Sequence, residues 1–355
     1  IGLALVILQS LVGAIAFWAL AVDSEASRET LASARIYFDI RIWGAPFALA
    51  SYAAFGWLSA RGRTDYLMAA SLVITGLNVV LDYWFVVGLK WGAGGVAAGT
   101  LIAEIAGFLV CALFVALIMA RNGGLRAYWS FATLLNPNRL RRTLSVNRDI
   151  FIRTVLLAFS YSWFVQRAGQ FGDVALAANQ TLLQLLLLTG LALDGTAIAA
   201  ETLVGRAVGE RDRGLGEARY RSAVRRSFEI AFALALAFAA LYAAFGGALV
   251  DFLTPDSAIR AASREHLFWV ALSPLIVVIG FQLDGVFIGA TRAREMRNSM
   301  IVTAPLFIAA SIFLAREFGN HGLWAAFMLY FALRGATLAI YLPRIRRQFA
   351  APMAS

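Results

Sequence analysis

The sequence predicts an all-α polytopic membrane protein, a bundle of apolar helices with a polar path through it. Three observations carry that prediction. First, 61% of the 355 residues are hydrophobic and only 15% are charged, against about 25% charged in a soluble domain; the mean hydropathy is +0.73. Second, ten apolar runs recur along the chain, most near the roughly 20 residues a helix needs to cross a bilayer. Third, one such run, Ala175 to Gly209, holds Gln180, Gln184, Asp194 and Glu201. At about 100° per residue these four fall within an arc of roughly 100°. A carboxylate in hydrocarbon costs on the order of 3 kcal/mol on insertion scales, a cost tolerated where it faces a bundle interior or a water-filled cavity.

Taken in order, the predicted spans are 1–22, 36–58, 66–89, 94–119, 149–167, 175–204, 228–250, 266–290, 299–316 and 321–343. The chain opens with Ile1 already inside an apolar run, without the charged region of a signal peptide. A single cysteine, Cys111, excludes a disulfide framework within the chain. The net charge of +10 would suggest nucleic acid in a soluble protein. Here the positive charges sit between apolar spans, where they set orientation instead. Arg61 and Arg63 lie in one loop. The loop 120–148 holds Arg121, Arg126, Arg139, Arg141, Arg142 and Arg148. The loop 205–227 holds Arg206, Arg211, Arg213, Arg219, Arg221, Arg225 and Arg226. Arg292, Arg294 and Arg297, and then Arg344, Arg346 and Arg347, complete the set. The positive-inside rule makes these loops and the C-terminus cytoplasmic. The opposite loops carry Asp23, Glu25, Glu29, Asp173, Asp251, Asp256 and Glu317.

An internal repeat runs through the chain at an offset of 274 − 46 = 228 residues. It pairs Ala45-Pro46 with Ser273-Pro274, Asp23 with Asp251, and Gly94 with Gly322. Segment 53–65 meets 284–295 within one residue of register. The halves share one orientation, so the repeat axis lies along the membrane normal. The second half opens near Leu144 with six spans. Its counterpart would start at 144 − 228 = −84, which predicts two helices ahead of Ile1 and an intact protein of twelve spans in two bundles of six. The expected organisation is an N-lobe over 1–120 (helices 3–6), a basic cytoplasmic loop over 121–146 and a C-lobe over 147–355 (helices 7–12).

Function is expected where the halves differ. Asn78 and Asp82 meet Leu306 and Ala310, and Asp284 meets Gly56, so the shared fold does not demand these polar groups. Asn78 and Asp82, four residues apart, share one helix face. Asp82 lies ~24 Å along its helix from Tyr66 at 1.5 Å per residue, in the outer half of the membrane. It reads either as a proton-exchanging carboxylate beside an amide or as a structural carboxylate bonded to a neighbouring helix. Asp194 and Glu201 are two turns apart, and neighbouring carboxylates resist joint ionisation. Glu201 also reads as solvated, or as capped by Arg206. Glu104 and Arg334 sit on repeat-related helices and read as an ion pair. Arg41 and Arg153, near span ends, read as snorkelling side chains. His266 and His321 read as interfacial. There is no P-loop, HExxH or GxSxG motif, so no enzyme and no ATP-driven pump is expected. A coupling ion is the remaining energy source.

Several segments resemble the multidrug and toxic-compound extrusion (MATE) family, in its DNA-damage-inducible branch. They are AANQTLLQLLLL at 177–188, LDGTAIAAETLVGRAVG at 193–209, NRDIFIRT at 147–154, NVVLDYWFVVGLKWGAGGVAAGT at 78–100 and LDGVFIGATRAREMRNSM at 283–300. The resemblance covers essentially the whole chain. It implies a MATE-like pair of six-helix bundles, with ten of twelve helices present, alternating access, and export of amphipathic or cationic compounds against inward H⁺ or Na⁺. It implies no cofactor. The expected partners are a small-molecule substrate and membrane lipid, with no nucleic acid; a monomer in the bacterial inner (plasma) membrane is the expected state. It maps the family's N-lobe Asn/Asp pair onto Asn78 and Asp82, and makes Asp284 a C-lobe candidate. The family's first-helix acidic residue maps nowhere in this chain. Two other readings stand beside efflux: a lipid-linked oligosaccharide flippase of the same superfamily, which favours an Arg/Lys-rich cavity, and a non-transporting truncated membrane protein.

Overall fold

The computed structural model describes residues 2–7, 13, 28–121, 137–210 and 216–350. Most of the span expected over 1–22 lies outside the described residues, as do Asp23, Glu25, Arg126, Arg211 and Arg213. The chain forms two compact units, residues 1–133 and 134–355. Every secondary-structure element among the described residues is helical. Among the described residues, six helices are long and apolar enough to cross a membrane, and they include the stretches expected at 66–89, 94–119, 175–204, 228–250 and 266–290.

The first unit contains α1 (Gly2–Ile7), α2 (Arg28–Arg41), a 3₁₀ turn at Ile42–Gly44, α3 (Ala45–Ala60), α4 (Thr64–Tyr83) and α5 (Gly92–Arg121). The span expected over 36–58 is thus broken in its middle. Pro46 supplies no N–H to continue the α-helical ladder, and the chain tightens just before it. Gly44 is needed there, since a Cβ at this position would overlap the Glu104 carboxylate. Below it Arg41 grips Glu104 with both prongs, Nη1 to Oε2 at 2.6 Å and Nη2 to Oε1 at 2.8 Å. That pair corrects two expectations: Arg41 does not snorkel, and Glu104 does not pair with Arg334. A half-buried bidentate pair is favoured over a snorkelled charge because both ions keep strong hydrogen bonds away from water.

The second unit contains α6 (Pro137–Gly169), α7 (Asp173–Gly209), α8 (Gly216–Leu253), α9 (Ser257–Gly289) and α10 (Ala293–Ala350). α10 is two helices joined at Gly319, whose φ of 57° and ψ of −139° reverse the chain. The two arms run antiparallel, as Ser299–Thr337 (2.6 Å) and Met300–Tyr330 (3.6 Å) contacts show. These arms correspond to the spans expected at 299–316 and 321–343. Asn179 of α7 fastens the turn: it exchanges hydrogen bonds with Asn320 at 2.8 and 3.1 Å and accepts from Trp324 Nε1 at 2.7 Å. Beneath lies an aromatic cluster in which Phe164, Phe307, Trp324, Phe327 and Tyr330 are fully buried.

The expected repeat has a structural trace at the ends of α3 and α9. Gly62 N donates to Ser59 O and Arg63 N to Leu58 O; Thr291 N donates to Ile288 O and Arg292 N to Phe287 O. Both caps turn through a left-handed residue, Gly62 at φ 70° and Thr291 at φ 56°. This is the bond pattern that satisfies the last carbonyls of a helix, and it recurs at an offset of 229, one residue from the sequence register.

Lipid tails are as apolar as leucine, so close packing and polar contacts hold a membrane bundle together more than dehydration does. One such close-packed seam is between α7 and α9. A Cβ on Gly285 would overlap the Ala197 carbonyl, and one on Gly289 would overlap that of Glu201. Two glycines four residues apart therefore let α9 lie directly on the α7 backbone. Gly285→Ala is expected to destabilise the protein by about 1–3 kcal/mol, the usual cost of overpacking, read as a lower melting temperature in detergent. Gly195→Ala, where no atom lies within 4 Å of the added Cβ, is expected to melt like the parent.

Candidate functional site

The α7–α9 seam fixes where the charged residues go. Asp194 and Asp284 each stand between a buried leucine and a glycine, in Leu193-Asp194-Gly195 and Leu283-Asp284-Gly285. Asp194, Glu201 and Asp284 line one cavity of about 510 Å³ within the second unit. Arg153 of α6 and Arg334 of α10 line it as well. Its apolar walls come from Leu157, Tyr161, Phe281, Ile288 and Phe331.

Asp284 is the hub. Its Oδ2 accepts from Nη2 of both Arg153 and Arg334. Asp284 is 7% exposed and Arg334 3%. This C-lobe candidate is therefore clasped between two guanidiniums on two other helices. Arg153 is not a snorkelling residue, because a buried carboxylate lies within its reach; a basic residue in the span 149–167 was the signal in the sequence. Arg334, expected to pair with Glu104, is committed to Asp284 instead. Asp284 Oδ1 and Arg153 Nε are buried with no hydrogen-bond partner.

Asp194 and Glu201 differ from Asp284. Neither has a hydrogen-bond or ion-pair partner among the described residues, and each opens onto the cavity. With every group ionised the cavity holds two positive and three negative charges, 2 − 3 = −1. Nearby, Gln282 donates to Thr196 Oγ1, which in turn donates to Leu193 O at 2.7 Å. That bond turns the Gln282 amide inward and leaves its Oε1 buried without a partner.

The polar stripe of α7 divides in two. Asp194 and Glu201 line the cavity, but Gln180 and Gln184 do not; both are exposed further along the helix. The buried amide in that stretch is Asn179, at 1% exposure, which anchors the α10 turn. Helical spacing alone put Gln180 and Gln184 on one arc with the carboxylates. It could not show that the cavity closes before reaching them.

In the first unit, Asn78 and Asp82 share the face of α4 that meets α5. Asn78 Nδ2 donates to Thr100 Oγ1 at 3.1 Å, and Thr100 Oγ1 donates to Val96 O at 2.8 Å. The Asn78 amide is thereby tied to the neighbouring helix and not to Asp82. Asp82 Oδ1 is buried without a hydrogen-bond partner, against Gly99, where a Cβ would overlap it. Directly after Asp82 the helix widens into a π turn over Trp84–Gly88, a feature frequent at functional sites.

Comparison with known proteins follows the same lines. The MatE family matches residues 1–84 and 150–319. The chain is 37% identical over 321 residues to the DNA damage-inducible protein F of Escherichia coli, covering 88% of this chain and 66% of that one. It is 29% identical over 311 residues to DETOXIFICATION 43 of Arabidopsis thaliana, covering 86% and 56%. The chain thus spans just under two thirds of the first relative and little more than half of the second. Among solved structures, a MATE protein in complex with MaL6 superposes with a TM-score of 0.85 at 18% identity, over 99% of this chain and 78% of that one. A MOP superfamily transporter from Pyrococcus furiosus gives the same score, identity and coverage. At these identities the structures show the fold.

Proposed function

The chain belongs to the MatE family of multidrug and toxic-compound transporters, and from that premise we propose that it is the greater part of a secondary-active efflux antiporter. It exports amphipathic or cationic compounds by alternating access in exchange for H⁺ or Na⁺. The observation that carries this reading is the cavity of the second unit, where aromatic and aliphatic walls surround two carboxylates, Asp194 and Glu201, that have no hydrogen-bond or ion-pair partner among the described residues. Glu201 is partly buried and Asp194 more exposed, and a carboxylate drawn into an apolar site is normally paired. Unpaired ones in an apolar cavity suit a cationic guest that supplies the missing charge. The unpartnered Asp82 in the first unit is the proposed coupling carboxylate, taking up the ion that drives the cycle. Membrane orientation follows the arginine loops, with the C-terminus in the cytoplasm and the bacterial inner membrane as the location.

Asp194→Asn in the full-length protein is expected to reduce efflux of a cationic dye from cells at least fivefold while expression stays near that of the parent. Undiminished efflux at equal expression would remove Asp194 from the substrate path. Orientation has its own test. A cysteine placed at Ser222 is expected to be shielded from an impermeant thiol reagent in intact cells, and one at Ser257 labelled. The opposite pattern would invert the topology.

A further inference from the structure

We infer that a second pocket, between the facing ends of α7 and α8, is a seat for the phosphate of an anionic phospholipid. The pocket has a volume of about 350 Å³ and shares no lining residue with the cavity described above. The inference does not depend on what the chain transports. Its ground is the unequal use of the arginines at this end of the unit. On α8, Arg221 pairs with Glu217 at 2.6 Å and Arg225 with Glu229 at 2.8 Å, each within its own helix. Neither of these arginines lines the pocket. Three others do: Arg206 of α7, and Arg219 and Arg226 of α8. Arg219 donates to Glu210 and so staples the two helices together. Arg206 and Arg226 have no hydrogen-bond or ion-pair partner among the described residues. With Glu210 counted, the pocket carries 3 − 1 = +2.

The position of the two free arginines says which anion fits. Arg206 lies 206 − 204 = 2 residues past the apolar stretch 175–204, and Arg226 lies 228 − 226 = 2 residues before the stretch 228–250. Each stands where a membrane helix leaves hydrocarbon and meets headgroups. One turn deeper, each has an exposed aliphatic neighbour on its own helix: Leu203, 44% exposed, and Ile230, 63% exposed. A phospholipid completes that pattern, with its phosphate on the guanidiniums and an acyl chain along the aliphatic surface. Guanidinium forks match phosphate oxygens, and Ser222, four residues before Arg226 on the same face of α8, adds a hydroxyl to the pocket. Basic pockets between membrane helices bind anionic headgroups for this reason. A zwitterionic lipid offers the same phosphate but brings a cationic group to a site already at +2. A free phosphate leaves Leu203 and Ile230 uncovered.

The test titrates the full-length protein in a neutral detergent with three ligands and counts the bound ones by native mass spectrometry. The ligands are dioleoylphosphatidylglycerol, dioleoylphosphatidylcholine and glycerol 3-phosphate, which has the phosphate without the acyl chains. The parent is expected to retain phosphatidylglycerol at concentrations where it retains neither of the others. Arg206→Gln with Arg226→Gln is expected to weaken phosphatidylglycerol binding about thirtyfold, the worth of two basic residues at an anionic lipid surface. Arg221→Gln with Arg225→Gln removes the same charge from beside the pocket and is expected to bind the lipid as the parent does. Arg226→Lys keeps the charge without the fork and is expected to fall between the parent and the first double variant; it also reports on the seat should that variant fail to fold. Equal loss in both double variants would reduce the effect to net charge and overturn the pocket, as would lipid binding unchanged in the first double variant and in Arg226→Lys. Glycerol 3-phosphate or phosphatidylcholine bound as tightly as phosphatidylglycerol would overturn the assignment to an anionic lipid.

Discussion

Asp284→Asn is expected to cost the protein about 3–5 kcal/mol, the range for removing one partner from a buried ion pair. The loss is read as a lower melting temperature and a poor yield from membranes. Asp284 Oδ2 accepts from both Arg153 and Arg334. An amide in its place cannot offset either charge, and a buried guanidinium, Arg334, and a partly buried one, Arg153, are then left facing each other across helices α6 and α10. The order of effects is the informative part. Arg153→Gln leaves one carboxylate on one guanidinium and is expected to be the mildest of the three. Arg334→Gln leaves Asp284 with the more exposed Arg153 and is expected to lie between. A melting temperature for Asp284→Asn equal to that of Arg153→Gln would show that the triad does not hold the second unit together.

Asp82→Asn is expected to abolish ion coupling while leaving stability unchanged or slightly raised. The two halves of that expectation come from one observation, a buried carboxylate oxygen with no partner. An unsatisfied buried polar atom costs about 1–3 kcal/mol, and more when charged. Asp82 makes no side-chain hydrogen bond or ion pair among the described residues, so the isosteric amide has no bond to break. If Asp82 is the group that takes up the coupling ion, the neutral amide cannot exchange it. Loss of stability with coupling intact would make Asp82 structural. Gly99→Ala, whose Cβ would overlap Asp82 Oδ1, is expected to impair coupling through displacement of the carboxylate.

The fold was largely legible because apolar runs of membrane length leave a chain few choices. Backbone groups in lipid must bond within their own helix, so length and hydropathy together located the long helices of both units. The breaks were harder. Pro46 marked the interruption of the expected 36–58 span, but the 3₁₀ turn depends on Gly44 fitting beneath Glu104, a contact 60 residues away in sequence. The site was legible by residue and not by pairing. Asp194, Glu201, Asp284 and Arg334 each stood out as charge in an apolar run. Which arginine meets which carboxylate depends on helix packing, and that is set by the glycine seam of Gly285 and Gly289 against Ala197 and Glu201. The Asn179–Gln180 neighbours show the same limit. Both are amides at adjacent positions, and only the packing of the α10 turn decides that Asn179 is the buried one.

The central claim is that substrate and ion movements are coupled through this protein. It is tested most directly by full-length protein in sealed proteoliposomes with a pH-sensitive dye inside, in sodium-free and sodium-containing buffers. A pulse of cationic substrate is expected to drive proton movement, or sodium movement, across the membrane in the parent. Both signals are expected to vanish in Asp82→Asn. Substrate transport by the parent with neither ion moving would contradict the account.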